Sequence, residues 1–410
     1  MLIQIKQGLT VPVAGAPRQE IVAGVNPRRV ALVGADYLDL RAGLQVAVDD
    51  QVQVGQTLFV DRSDRSVRFV APGAGRVVEI NRGPKRSLLS VVVELDGDDD
   101  AAPQFPELRQ RDPAELSRAV ICQTLLDAGL WPALRARPYG RVARTSALPT
   151  ALFVTAVDTD PLAARPEIVV RERSEDFAAG LAAISRLAPA TWLCVAPGAD
   201  LPCPDLPGLS MVEFAGEHPA GLVGTHVRHL HPEASEVWHI GYQELLAVGH
   251  LFRTGELSYE RVISLAGPGV LDPRLIRTRA GADLRGLLES QTSDGCRIIS
   301  GSVLSGRAVT PGTEYLGRYH HQVSVLDAEP ARSSPGGMLP VESFDRVWPF
   351  AVPPGPLLRA LLIRDTETAG ALGCLALIEE DLALCSYVCP AKLDYGSALR
   401  DTLREIERGR

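Results

Sequence analysis

The chain has 410 residues, 46% of them hydrophobic and only 5% aromatic, which is enough to bury several cores, since single domains usually run to about 100 to 200 residues. A formal net charge of −8, with no run of Lys and Arg beside aromatic residues, excludes nucleic acid as an expected partner. The longest apolar stretches, such as 151–157, fall far short of the roughly 20 residues a membrane-spanning helix needs, so the chain is not expected to span a bilayer. The opening Met1-Leu-Ile-Gln-Ile-Lys lacks the basic, apolar and small-residue series of a signal peptide, which points to the cytoplasm and to seven reduced cysteines.

Plentiful Gly and Pro favour many short elements, and the expected class is multidomain α/β. Short alternating runs punctuated by Asp, Gly, Pro and Asn fill 30–95, among them Thr57-Leu-Phe-Val, Arg76-Val-Val-Glu-Ile and Ser90-Val-Val-Val-Glu-Leu. They predict a compact β domain over 1–98. Val52-Gln-Val-Gly-Gln-Thr-Leu with Ala71-Pro-Gly-Ala-Gly-Arg-Val-Val resembles the lipoyl- and biotinyl-carrier sandwich, a barrel-sandwich hybrid. No lysine occurs between Lys6 and Lys85 to carry a cofactor at a hairpin tip, so the fold is expected without carrier chemistry.

After a polar linker at Asp96–Asp100, a Rossmann-like doubly wound unit is expected over 99–256. Asp112-Pro-Ala-Glu caps a helix that ends at Gly129. Ala151-Leu-Phe-Val-Thr-Ala-Val reads as a buried parallel strand, 176–188 as a helix, Thr191-Trp-Leu-Cys-Val as the next strand and 242–252 as a closing helix. A strand, strand, helix, strand series from Arg261 to Gly306 predicts a small β-grasp domain of the SLBB kind over 257–330. Residues 331–410 read as a linker, rich in Pro, Ser and Gly over 327–339, followed by a helical domain. Its apolar stripes contain Leu357, Leu358, Leu361 and Leu362, then Leu399, Leu403 and Ile406.

Candidate chemistry is sparse. Asp158-Thr-Asp-Pro-Leu follows the strand at 151–157, where open α/β sheets bind ligands, and its carboxylates could meet a ribose or a flavin hydroxyl. A phosphate turn needs several glycines before a helix, and Gly129-Leu-Trp-Pro offers one beside a bulky Trp131. Cys374, Cys385 and Cys389-Pro lack the tight Cys-x-x-Cys pairs of an iron–sulfur motif, and no metal site is expected. More than half of the eight histidines cluster in His218-Pro-Ala-Gly-Leu-Val-Gly-Thr-His226-Val-Arg-His229-Leu-His231-Pro and at His239. This glycine-rich stretch reads as a polar loop. Thr225 and His226 could donate to a quinone carbonyl while Leu222 and Val223 pack on the ring, with His218 beside them.

Longer strings carry a resemblance. The opening Ile3-Gln-Ile-Lys-Gln-Gly-Leu-Thr-Val-Pro-Val-Ala-Gly-Ala-Pro, Asn81-Arg-Gly-Pro-Lys-Arg, the His218–His226 string, Arg297-Ile-Ile-Ser-Gly-Ser-Val-Leu-Ser-Gly and Glu379-Glu-Asp-Leu-Ala-Leu-Cys-Ser-Tyr-Val-Cys-Pro resemble the A subunits of the sodium-translocating NADH:quinone reductases. They are spread over nearly the whole chain. The resemblance implies a peripheral subunit on the cytoplasmic face of the cell membrane, in a complex that passes electrons from NADH to ubiquinone and exports sodium. It implies as partners the other subunits of that complex and ubiquinone, with NADH, flavins and iron–sulfur centres held elsewhere and no cofactor bound by this chain. It also implies quinone handling by this subunit, for which the loop reading above offers His218, Leu222, Thr225 and His226, and no catalytic residue in the isolated chain. The stretch at 326–340 is shorter than family members are expected to carry. The family is similar in turn to the FMN-binding NADH dehydrogenase subunit of complex I and its Rnf counterpart, an alternative function. Against it, the glycine turn of those relatives is replaced by Gly129-Leu-Trp-Pro and their cysteine set is incomplete.

Overall fold

A computed structural model describes residues 1–97, 105–109, 111–232, 235–293, 295–327 and 342–409. The fold is mixed α/β, with the four kinds of unit expected from the sequence. The sandwich pairs an antiparallel sheet, ordered Arg29–Val33, Leu88–Leu95, Gly75–Arg82 and Gln51–Val52, with a second sheet of Ala42–Leu44, Thr57–Asp61 and Arg68–Val70. Alternation along these strands turns Val77, Val91 and Val93 inward, and Phe59 stacks on Phe69 at 4.7 Å between ring centres.

The α/β unit is built on parallel strands ordered Leu209–Ala215, Thr191–Val195, Ala151–Ala156 and Val237–Gly241. Successive side chains on a strand face opposite ways. Leu152, Val154 and Ile240 therefore meet helices Ser174–Ile184 and Tyr242–Thr254, while Ala151, Phe153 and Val237 meet helix Val223–Leu230 on the other face. The antiparallel strand Arg135–Arg137 extends the sheet beyond Val237–Gly241.

Two expectations are corrected here. Asp112 caps only a short turn, Pro113–Glu115, by accepting from Ala114 N; the helix proper, Arg118–Asp127, starts from its own cap, Ser117. The second concerns the first 23 residues, which leave the sandwich. Leu2–Gln4 adds a parallel edge strand to Leu209–Ala215, and Arg18–Ala23 pairs in parallel with Arg274–Arg279 of the β-grasp sheet. Val11 between them is buried in the helical tail. One extended segment thus stitches three units together.

The β-grasp sheet runs Arg307–Ala308, Arg297–Ser300, Gln322–Leu326, Glu260–Ala266, Arg274–Arg279, with helix Leu284–Leu288 capped by Asp283. Most of the linker at 327–339 lies outside the described residues, as does most of the one near 96–104. In the tail, helices Pro354–Ile363 and Tyr395–Arg408 bury Leu357, Leu358, Leu361, Leu399 and Leu403 around Phe344 and Tyr395. Leu362 departs from its expected stripe and faces outward, one residue beyond Leu361 and so about 100° around the helix. Ion pairs fasten the tail to the body: Arg137 to Asp381, Arg141 to Glu407 and Arg404 to Asp39. No helix among the described residues is long and apolar enough to cross a membrane.

Candidate functional site

At the carboxyl ends of Ala151–Ala156 and Val237–Gly241 the chain leaves the sheet, and there the α/β unit, the β-grasp hairpin, the tail and the 35–38 turn of the sandwich surround a cleft of about 650 Å³. A smaller chamber of about 130 Å³ shares Arg135, Asp158, Asp160, Tyr319, His321 and Glu380 with it, so the two are continuous, the chamber reaching inward to His239, Tyr242 and Glu244. This is the crevice in which open α/β sheets hold ligands.

The acidic loop expected from the sequence forms one wall. Asp158 accepts from Asp160 N at 2.9 Å, Asp160 accepts from Ser302 Oγ of the β-grasp hairpin at 2.7 Å, and Thr159 Oγ1 accepts from Gly221 N at 2.9 Å. Burial, reinforced by the neighbouring Asp160 carboxylate, pushes Asp158 up to about 8. At neutral pH it is therefore a protonated carboxylic acid, a donor as well as an acceptor. Glu244, deeper in, goes the other way: burial would raise it, but Arg261 at 3.3 Å and His321 at 3.4 Å hold it at about 2, as an anion.

The histidine-rich segment folds differently from the expected loop. Val223–Leu230 is a helix packed on the sheet, and Gly224 serves close approach rather than flexibility, since a Cβ there would lie 2.1 Å from Asp381 Oδ1. His218, Thr225 and His226 are buried behind the cavity. Thr225 Oγ1 donates to Pro219 O at 2.9 Å, and His226 Nε2 bonds Ala220 O at the same distance. Burial lowers both histidines, His226 to about 3, so both stay neutral. His218 Nδ1 reaches Thr159 Oγ1 at 3.3 Å and so steadies the acidic loop from behind. Of the four, only Leu222 lines the inner chamber.

Sequence reasoning misses Arg135, Tyr319, His321 and Glu380, which come together only in three dimensions. His239 belongs not to the expected loop cluster but to a strand, and it lines the chamber. A histidine in the otherwise apolar run Val237-Trp-His-Ile-Gly, two residues before the strand ends, is the signal available.

The glycine turn is structural. Gly129 has φ +66°, and a Cβ there would meet Val70 of the sandwich at 2.4 Å. Trp131 is fully buried against Trp238 and donates to Ala143 O at 2.7 Å. Cys374, Cys385 and Cys389 lie in the tail core, with Cys389 Sγ 3.3 Å from Tyr395 Oη.

The comparisons with known proteins agree along the whole chain. The NqrA N-terminal barrel-sandwich hybrid domain matches residues 3–96, the NqrA second alpha/beta domain 116–257, and the NQRA C-terminal domain of SLBB type 262–310. The A subunit of the Na(+)-translocating NADH-quinone reductase of Saccharophagus degradans is 42% identical over 447 aligned positions, covering 99% of this chain and 100% of its own. The proteins of the same description from Pseudomonas aeruginosa and Haemophilus influenzae are 44% and 43% identical with the same coverage. Among solved structures, an NAD+-reducing [NiFe]-hydrogenase is matched at 14% identity and a TM-score of 0.39 over 75% of this chain and 64% of its own, too distant to carry an argument. With three domain matches in order and relatives this similar from end to end, the chain belongs to the family of A subunits of the Na(+)-translocating NADH-quinone reductases.

Proposed function

We propose that the chain works as a peripheral subunit on the cytoplasmic face of a sodium-exporting NADH:ubiquinone reductase, and that its cleft receives the quinone head group while the other subunits hold the flavins and iron–sulfur centres. The cavity itself carries the quinone part of this reading. It is a crevice with a neutral acid, Asp158, beside an apolar wall at Leu222 and Val223, the mixture an uncharged ring with carbonyl acceptors requires. Asp160 and Glu380 on the same walls would repel the phosphates of a nucleotide cofactor, and Gly129-Leu-Trp-Pro is committed to core packing.

The test is photoaffinity labelling of the assembled complex with a photoreactive short-chain ubiquinone. Label is expected in peptides spanning 158–160, 301–307 or 379–397 of this chain, displaced by excess ubiquinone. Displaceable label confined to other subunits would remove the quinone role.

Asp158 adds a pH signature. Its proton is held more tightly in the folded protein than in an unfolded chain, where an aspartate titrates near about 4. Between that value and about 8 the folded state binds the extra proton, so this group's contribution to stability falls as pH rises through the window. Quinone-analogue affinity is likewise expected to be flat up to about pH 8 and to fall above it, as the donor is lost and a second carboxylate appears beside Asp160. Asp158→Asn donates at every pH, so its titration by calorimetry should be flat; a variant as pH-dependent as the parent would assign the proton elsewhere.

A further inference from the structure

We infer that Arg135 and His239 together form the donor pair that reads a carbonyl oxygen in the inner chamber of the cavity, making that chamber the head-group subsite of the quinone cleft; this rests on the quinone reading above. The two residues sit on neighbouring antiparallel strands as direct register partners. Directly opposed residues project from the same face of a sheet, with Cβ atoms about 5 Å apart. Both side chains line the same inner chamber.

Neither is committed elsewhere. Among the described residues the Arg135 guanidinium makes no ion pair and no hydrogen bond, although its five N–H groups are all donors. It is held in place by stacking, 4.5 Å from the centre of the Tyr319 ring, whose hydroxyl is tied to Pro132 O at 2.7 Å. His239 is 3% exposed, and its Nε2 has no hydrogen-bond partner. Burial, with the positive charges of Arg135 and Arg137 nearby, keeps the ring neutral, so one of its nitrogens is a donor. A polar group as buried as His239 is ordinarily satisfied by protein, water or ligand, whereas the half-buried Arg135 guanidinium keeps access to the cavity. A buried imidazole nitrogen without a partner, beside a guanidinium whose N–H groups are unused, marks where a hydrogen-bonding ligand atom goes.

The surroundings select its chemistry. Arg135 offers one positive charge, whereas Asp160 and Glu380 line the same chamber. Glu380 already takes Arg137 Nη2 at 3.3 Å, and Arg135 and Arg137 both oppose the effect of its burial. An anionic ligand would therefore meet a carboxylate for each cation. A neutral ring oxygen can accept from Arg135 and His239 without bringing a charge among these carboxylates, and Leu222 and Val223 supply the apolar contact for the ring.

The experiment uses the assembled complex carrying Arg135→Gln, Arg135→Lys, His239→Phe or His239→Gln. Measured together are the KM for a short-chain ubiquinone, the NADH-driven reduction of an artificial acceptor upstream of quinone, and the melting temperature. Arg135→Gln should raise the KM about tenfold or more, the loss of one charge-assisted hydrogen bond, with upstream reduction unchanged. Arg135→Lys should fall between, since it keeps the charge but not the planar fork. His239→Phe should raise the KM, and His239→Gln, which still donates, should recover part of it. An unchanged KM in Arg135→Gln and His239→Phe, with or without a lowered melting temperature, would make the pair structural and overturn the inference while cleft labelling of the parent still stands. Absence of displaceable label in the parent cleft would overturn the quinone reading and this subsite with it.

Discussion

Gly249→Ala is expected to lower the melting temperature by about 10 °C, against the usual direction for a helix interior, where Ala is better than Gly by up to about 1 kcal/mol. The reason is the contact between helices Ser174–Ile184 and Tyr242–Thr254. A Cβ on Gly249 would lie 1.6 Å from Asp176 O and 2.6 Å from Gly180 N, both backbone atoms of the facing helix, so no rotamer change relieves it. Gly180 makes the reciprocal approach, with its Cβ position 2.6 Å from Leu245 O. The helices must separate along their whole contact, a cost of about 3 kcal/mol or more for overpacking a dense core. Gly370→Ala is the control: it sits in helix Thr366–Ala371 with nothing within 4 Å of its Cβ position, so it should be neutral or slightly stabilising. Equal thermal unfolding of the two variants would show that the facing helices yield. The consequence reaches the site, because Tyr242 and Glu244 open the displaced helix and line the inner chamber.

What could be read from the sequence was what the chain writes locally. Alternation in Arg76-Val-Val-Glu-Ile and continuity in Ala151-Leu-Phe-Val-Thr-Ala reflect one-face and two-face burial, and both became strands. Leu357, Leu361, Leu399 and Leu403 repeat at helical spacing because one side of each helix meets a core, and that core exists. The crevice beyond Ala156 was legible for the same reason: the end of a parallel strand is a local signal with a general consequence.

What could not be read depends on pairing between distant segments. Nothing in Leu2-Ile-Gln or Arg18–Ala23 says which sheet edge it will join, since any edge offers the same backbone groups. The histidine-rich segment reads as a flexible loop because its glycines look permissive. Only the arrival of Asp381 from a distant helical turn explains why Gly224 must lack a side chain. Arg135 and His239 are more than a hundred residues apart, and their meaning lies in a strand register that no periodicity encodes. The site is therefore less legible than the fold, because its residues come from all four units.

Arg137→Ala is the second large effect, expected to cost about 3 to 5 kcal/mol and to loosen the tail from the α/β unit. Arg137 is 4% exposed, and its Nη1 donates to Asp381 Oδ2 at 2.8 Å and to Ala376 O at 3.1 Å. The side chain of Asp381 is 0% exposed, so truncating the arginine leaves a carboxylate buried with Ile378 N as its remaining bonded donor, at 2.9 Å. Isolated charge in such a place is far costlier than the pair is favourable, which separates this site from the exposed Arg364–Asp401 pair, where Ala should cost under about 1 kcal/mol. A double variant, Arg137→Met with Asp381→Asn, removes both charges, keeps the acceptor for Ile378 N and should recover most of the loss. Urea unfolding of the parent, the single variant and the double variant gives the three numbers. The same joint carries Glu380 to the cleft wall, so quinone-analogue affinity should fall in the single variant and return in the double one. A single variant as stable as its parent would mean that the carboxylate finds water or another donor. Stability lost without loss of affinity would mean that the tail holds the fold together but does not shape the site.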